Sequence, residues 1–297
     1  MVCLLCKQPG RLLHAQVPDY LLSGREAWDI HYCANDKLAW IDDSKSVTNL
    51  AAYYDSYHAH QAHDSVSTVS FSALKARYFF NYPAWPEPKA SVKILDFGCG
   101  GAQLLKQLQA VGFDVYGVEF DEELVRSLAS TLGVDKIYSV DKLGLLPENS
   151  FDAIVLNHVV EHLTDPLSIL MSLQRLLRPG GVIMLATPNL EAWGRMLFAG
   201  RWRGWELPRH RYLFSDSALV KLLSMAGYKT DKVMFSSRLA RGMFVSGFMP
   251  AWERLTVKPR WRYLLHLGGY IFAILARLLA YVGLAGKQEE LIVFAHK

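Results

Sequence analysis

The sequence predicts an α/β fold: a doubly wound, mostly parallel sheet with helices on both faces. Three observations carry that expectation. Strand-like and helix-like runs alternate from residue 91 onward. The helical runs stop at Gly112, Gly133 and Gly227, or at Pro179-Gly180-Gly181. A glycine-rich turn, Gly98-Cys99-Gly100-Gly101, joins the first strand directly to the first helix.

The elements follow in order. Residues 1–45 are short elements around three cysteines. Residues 46–90 read as a helical lid or linker, helical over 69–80 and closed by the proline cluster Tyr82-Pro83-Ala84-Trp85-Pro86-Glu87-Pro88. Strands are expected at 92–96, 115–119, 153–156 and 182–186, with helices at 102–111 and 122–132 between them. Asp165 and Pro166 have the chemistry of an N-cap and first helical position, for a helix running to Arg178. Ser215 caps a last helix at 218–226.

Bulk properties narrow the function classes. A chain of 297 residues suits one large domain with additions, and 51% hydrophobic residues supply a core. The net charge of +4 is spread along the chain, so no nucleic-acid partner is expected. The N-terminal residues lack the charged start and apolar run of a secretory leader, so a cytoplasmic location is expected. The four cysteines, Cys3, Cys6, Cys33 and Cys99, then read as reduced thiols or metal ligands.

The turn after the first strand is the main chemical signal. Glycines let a ligand approach the backbone, and the next helix offers unpaired N–H groups. Glu119 ends the second strand, where a carboxylate can accept from two ribose hydroxyls. A nicotinamide or flavin fingerprint would need a third glycine at position 103, which is Gln103.

The ordered blocks extend further. Ile94-Leu95-Asp96-Phe97-Gly98-Cys99-Gly100-Gly101 is followed by Ser150-Phe151-Asp152-Ala153-Ile154, Val160-Glu161-His162-Leu163, Leu177-Arg178-Pro179-Gly180-Gly181 and Ala186-Thr187-Pro188-Asn189. In that order, over 92–190, they resemble class I, Rossmann-like methyltransferases that use S-adenosylmethionine. The chain departs from that pattern at Ala102, where the family commonly has a third glycine.

The resemblance implies a seven-stranded sheet and a methyltransferase domain over 91–297. A helical insertion at 238–287 would precede a last strand at 290–295. Asp96, Gly98, Cys99 and Gly100 would meet the methionine end and ribose of the cofactor. Glu119 would hold the ribose hydroxyls, with Phe120 beside it. Asp141 would receive the adenine amino group or stand as a plain surface aspartate. Asn157 and His158 would line the same crevice.

Methyl transfer from a sulfonium mainly requires positioning, and an oxygen acceptor needs a base. Histidine titrates in the right range. On a helix, His158, Glu161 and His162 share one face, as a metal site, a base with its orienting carboxylate, or a helix cap. The stretch resembles polyprenyl-phenol O-methyltransferases of the ubiquinone type, whose Glu-x-x-Glu-His run is associated with a divalent metal. Here His158 replaces the first Glu. A long connection carries Trp205-Glu206-Leu207-Pro208-Arg209-His210-Arg211, and His210 is the favoured base. Trp193, Trp202 and Trp205 wall the acceptor pocket or cover core.

Cys3-x-x-Cys6 with Cys33-x-x-Asp36 has zinc-site spacing, with Asp36 as the fourth ligand and His31 as the alternative. It resembles a degenerate form of the small zinc ribbons that precede some methyltransferase domains. Residues 264–285 are apolar but contain Arg277, which argues against a membrane span. Preceding basic residues suit a peripheral membrane contact through 238–285 or a lipid-like acceptor. A helical cap or homodimer interface is the other use of this face. The expected reaction is methylation of a hydroxyl on a small or lipid-like acceptor, with sugar or nitrogen methylation, or cofactor binding without catalysis, as alternatives.

Overall fold

The computed structural model describes residues 2–19, 26–42, 70–132, 136–248, 259–279 and 285–297. The expected lid over 46–69, the helix stop at Gly133 and parts of the insertion lie outside the described residues.

The central sheet is built from β4 (Lys93–Phe97), β5 (Asp114–Glu119), β6 (Ile137–Ser139), β7 (Phe151–Asn157), β8 (Leu177–Pro188), β10 (Lys229–Ser236) and β11 (Glu290–His296). Its order is β10-β11-β8-β7-β4-β5-β6. β11 runs antiparallel to both neighbours, while the other pairings are parallel. The chain steps from β4 to β5 on one side and returns to β7 on the other. That reversal opens a crevice at the carboxyl ends of β4, β5 and β7.

β11 shows why the sheet is stable. Leu291, Val293 and Ala295 enter one core cluster, while Ile292 and Phe294 enter the cluster on the opposite face. All five are fully buried. A strand buried on both sides loses alternation and reads as a continuous apolar run. Each large apolar side chain buried this way contributes about 1.5–3 kcal/mol.

Helices cover both faces: α2 (Gln103–Ala110), α3 (Glu122–Leu132), α4 (Pro166–Leu176) and α6 (Asp216–Met225). Asp165 caps α4 by accepting from the Ser168 N–H, and Ser215 caps α6 by accepting from Ala218. Two boundaries differ from the sequence reading. α4 stops at Leu176, and Leu177 is already extended (φ −67°, ψ 140°). Arg178 precedes Pro179, whose ring disfavours helix at the residue before it, so β8 absorbs the Pro-Gly-Gly stretch. α2 begins at Gln103, because Ala102 is left-handed at φ 57°.

Upstream, α1 (Phe71–Arg77) and the proline cluster lie against the sheet. Phe79 stacks on Trp85 at 3.7 Å, and Tyr82 stacks on Phe294 at 4.2 Å. The Tyr82 hydroxyl bonds Asp231 (2.5 Å) and His296 (2.9 Å), pinning the segment across β10 and β11.

The N-terminal strands β1 (Arg11–Pro18), β2 (Ala27–Cys33) and β3 (Leu38–Ile41) form an antiparallel sheet completed by β9 (Tyr212–Phe214). Leu38 pairs with Phe214, so the cysteine-bearing segment grips the loop that carries His210. The remaining helices are α5 (Trp193–Phe198), α7 (Ala240–Phe248) and α8 (Pro259–Leu279).

Gly117 sits where α2 crosses β5. A Cβ there would stand 2.8 Å from both Ile137 Cδ1 and Leu105 Cδ1, and 2.9 Å from Cys99 Sγ. Gly117→Ala is expected to destabilise the fold by about 1–3 kcal/mol, the usual cost of overpacking, measured by urea unfolding.

Candidate active site

The turn after β4 is tied to β5 by its backbone. Gly98 and Cys99 N–H groups donate to the Val118 carbonyl at 2.8 and 3.1 Å. Gly98 has φ +77°, and a Cβ there would lie 2.6 Å from Val159 Cγ2, so only glycine fits. Glu119 is buried and latched. Its Oε2 accepts from Gly100 N–H at 2.7 Å, and its Oε1 from Phe120 at 2.7 Å and Asp121 at 3.3 Å. Oε1 already accepts twice, while Oε2 accepts once and keeps a further lone pair for a hydroxyl donor. Burial, reinforced by the Glu119 charge, pushes Asp96 up to about 7.

A cleft of about 1590 Å³ opens beside this turn. Gly98, Gly100, Glu119, Phe120, Asn157 and His158 line it. Phe120 is exposed and meets Phe97 edge-on at 5.5 Å. Cys99 does not line the cleft, because its sulfur faces Gly117 within the core. Nor does Asp141, which is exposed and accepts from the Ser139 hydroxyl. Asp96 lies beneath the turn and does not line the cleft.

The far half of the cleft holds the histidines. His158, Glu161 and His162 do not sit on an α-helix. His158 is left-handed at φ 57°, and Val160–His162 is a short 3-10 turn. His158 bridges two buried carboxylates, Glu161 at 3.2 Å and Glu290 at 3.1 Å. Burial opposes its charge, but the hydrogen bonds and charges of both acids prevail and raise it to about 10. It is therefore an imidazolium at neutral pH and no base.

His162 is the opposite case. Burial, with the charge of His210, lowers it to about 4, so it is neutral. Its Nδ1 lies 3.0 Å from the Arg209 carbonyl, and His210 Nδ1 lies 2.7 Å from the Gly204 carbonyl. A carbonyl only accepts, so both Nδ1 atoms carry hydrogen, and in the neutral form of either ring the lone pair is on Nε2. The rings meet edge-on at 4.7 Å. One ligand atom each from Glu161, His162 and His210 falls within 4.8 Å of the others, a spacing that suits a cation.

The tryptophans mostly serve packing. Trp202 and Trp205 are buried core residues, and Trp202 Nε1 donates to Glu289 at 3.1 Å. None of Trp193, Trp202 and Trp205 lines the cleft. The sequence reading missed Glu290 and Arg203. Glu290 carried a signal, an acid opening an otherwise apolar strand.

A second cluster lies in the N-terminal segment. Cys6 and Cys33 sulfurs are 3.6 Å apart, and Asp36 Oδ2 is 3.2 Å from Cys3 Sγ and 3.7 Å from Cys33 Sγ. Lys221 of α6 binds the other Asp36 oxygen at 2.6 Å. His31 is elsewhere, stacked on Trp40.

Residues 70–233, more than half of the chain, match the methyltransferase domain family. The chain belongs to that family. A ubiquinone biosynthesis O-methyltransferase from Xanthomonas campestris pv. campestris is 37% identical over 103 residues, covering 33% of this chain and 43% of that protein. One from Sinorhizobium fredii is 33% identical over 166 residues, covering 50% of this chain and 65% of that protein. The chain spans less than two thirds of the length of these relatives. A solved SAM dependent methyltransferase from Archaeoglobus fulgidus aligns at TM-score 0.47 and 18% identity, covering 77% of this chain and 95% of that one. Within the methyltransferase domain, the glycine turn and Glu119 occupy the crevice at the topological switch.

Two outcomes are expected. Gly98→Ala weakens S-adenosylmethionine binding at least about tenfold by calorimetry, because the turn must move. His158→Gln costs about 3 kcal/mol near neutral pH, since it removes the cation shared by two buried carboxylates. The folded pKa of His158 is raised, so its contribution is full below about pH 6.5 and fades as pH rises through about 10. Unfolding curves of both proteins from pH 6 to 10 should therefore converge at the alkaline end.

Proposed function

We propose that this protein transfers the methyl group of S-adenosylmethionine to a hydroxyl oxygen of a small or lipid-like acceptor. The observation that carries this is one cleft with the latched Glu119 turn at one end and the His210 imidazole at the other. The donor set fits the cofactor. Glu119 Oε2 has a lone pair left for a hydroxyl, Gly98 and Gly100 line the cleft without a side chain of their own, and Asn157 adds a polar side chain. Bound there, S-adenosylmethionine supplies an activated methyl group.

The chain's own groups do the rest. Gly204 O holds the His210 ring by Nδ1–H, so Nε2 is directed as an acceptor for the acceptor's hydroxyl proton. Glu161, held low by its histidine neighbours against its burial, stabilises the imidazolium that results. His162 stays neutral beside it. His158 orients Glu161 as a fixed cation.

The Glu161–His162–His210 spacing supports a second reading, in which a divalent ion polarises the hydroxyl instead. Both histidines have their second nitrogen fixed by a carbonyl, as metal-ligating histidines do.

Cys3, Cys6, Cys33 and Asp36 are proposed to hold a structural zinc ion, with Lys221 on the outer carboxylate oxygen. These thiols are unbonded to one another, as suits a cytoplasmic protein. Among the described residues no helix is long and apolar enough to cross a membrane. A peripheral membrane contact through 238–285 fits the outward apolar face of α8, and a homodimer is the competing use of that face.

His210→Ala is expected to lower S-adenosylhomocysteine formation with a true acceptor about 100-fold or more, with cofactor affinity unchanged. Loss of the wild-type rate on dialysis against a chelator, restored by a divalent ion, would favour the metal reading. Elemental analysis should find one zinc per chain. Cys33→Ser should lose it together with several degrees of melting temperature.

A further inference from the structure

The two ends of the cleft carry opposite charge. Around the turn, Glu119, Asp121 and Glu123 line it. At the other end stand Arg203, Arg238 and Arg241. The acids facing them are already engaged. Glu290 is bound by His158 and by Arg238 Nε and Nη2, Arg238 Nη1 donates to the Arg77 carbonyl, and Glu206 is bound to Arg209 at 3.4 Å and also feels the charge of Arg203. Positive charge is left over at this end, while the acidic end suits a sulfonium cation.

Two of the arginines are also held in place. Arg238 lies over the Phe80 ring at 4.4 Å and meets Glu290 Oε2 at 3.3 Å. Arg241 lies over Tyr270 at 4.6 Å and donates to its hydroxyl. Arg203 Nη1 would be 3.8 Å from a Cβ on Gly242, next to Arg241. Planar guanidinium groups fixed by stacking are suited to a phosphate, which they can bind through paired hydrogen bonds.

Tyr270 leads out of the cleft onto α8. That helix turns Gly269 and Ala276 inward towards the protein. Leu264, Leu267, Ile271, Ile274, Leu275 and Leu278 form one outward stripe, each 43–55% exposed. An apolar track thus begins beside Arg241. The cleft, at about 1590 Å³, exceeds the usual size of a pocket for one small ligand, about 300–1,000 Å³.

We propose that the methyl acceptor is a phosphate-bearing lipid, its head group bound by Arg203, Arg238 and Arg241 and its apolar chain leaving along α8. This rests on the methyl-transfer reading above and names its substrate class. It differs from a neutral phenolic or alcohol lipid in requiring the anion.

The test titrates the full-length protein, saturated with S-adenosylhomocysteine, with farnesyl phosphate, farnesol and glucose 1-phosphate by calorimetry. Farnesyl phosphate is expected to bind at least about tenfold tighter than either other probe. Arg203→Gln and Arg241→Gln should each weaken it about tenfold, the loss of one charge-assisted contact, while S-adenosylhomocysteine affinity stays the same. Ile274→Ser should weaken farnesyl phosphate and leave glucose 1-phosphate unchanged. Equal binding of farnesol and farnesyl phosphate overturns the anion site, as do arginine variants without effect. Equal binding of glucose 1-phosphate and farnesyl phosphate overturns the lipid. If S-adenosylhomocysteine itself fails to bind, the methyl-transfer reading falls. If it binds and farnesyl phosphate does not, only the present inference falls.

Discussion

A proton on His158 joins two parts of the chain that are distant in sequence. Its ring bridges Glu161, from the turn after β7, and Glu290, the first residue of β11. Glu161 also accepts from Thr187 at the end of β8. Glu290 also meets Arg238, just before α7. Remove the proton and two carboxylates face each other through a neutral ring at little exposure to water, an arrangement with a large desolvation cost. The histidine side of the cleft is arranged around this ion cluster, from the 3-10 turn of His162 to the start of α7.

The cofactor half depends on backbone. Glu119 is positioned by three N–H groups of the turn and its own strand end. Gly98 must be glycine because Val159 fills the space a side chain would need. One half of the cleft is thus set by local sterics, and the other by charge pairs that form only when distant strands meet.

The N-terminal segment meets the histidine side of the cleft by a route of its own. β3 pairs with β9, two residues after His210, and Lys221 of α6 reaches Asp36. The Leu38–Phe214 register thus connects the cysteine cluster to the loop that holds His210.

The sequence by itself determined the strand-helix alternation, the glycine turn and the acid at the end of β5. These depend on short-range rules: periodicity, caps at Asp165 and Ser215, and the positive φ that Gly98 and Gly100 supply. It also placed Cys3, Cys6, Cys33 and Asp36 in one set, because the spacing within each pair is local. The tertiary structure alone decided what each histidine is. His158 and His162 lie four residues apart, yet one is held charged by Glu161 and Glu290, and the other neutral by burial beside His210. It decided that Trp202 and Trp205 are core, that Cys99 faces Gly117, and that Asp141 stands apart from the cleft. A side chain's charge state and direction depend on which distant groups share its low-dielectric surroundings, and no local pattern encodes those neighbours.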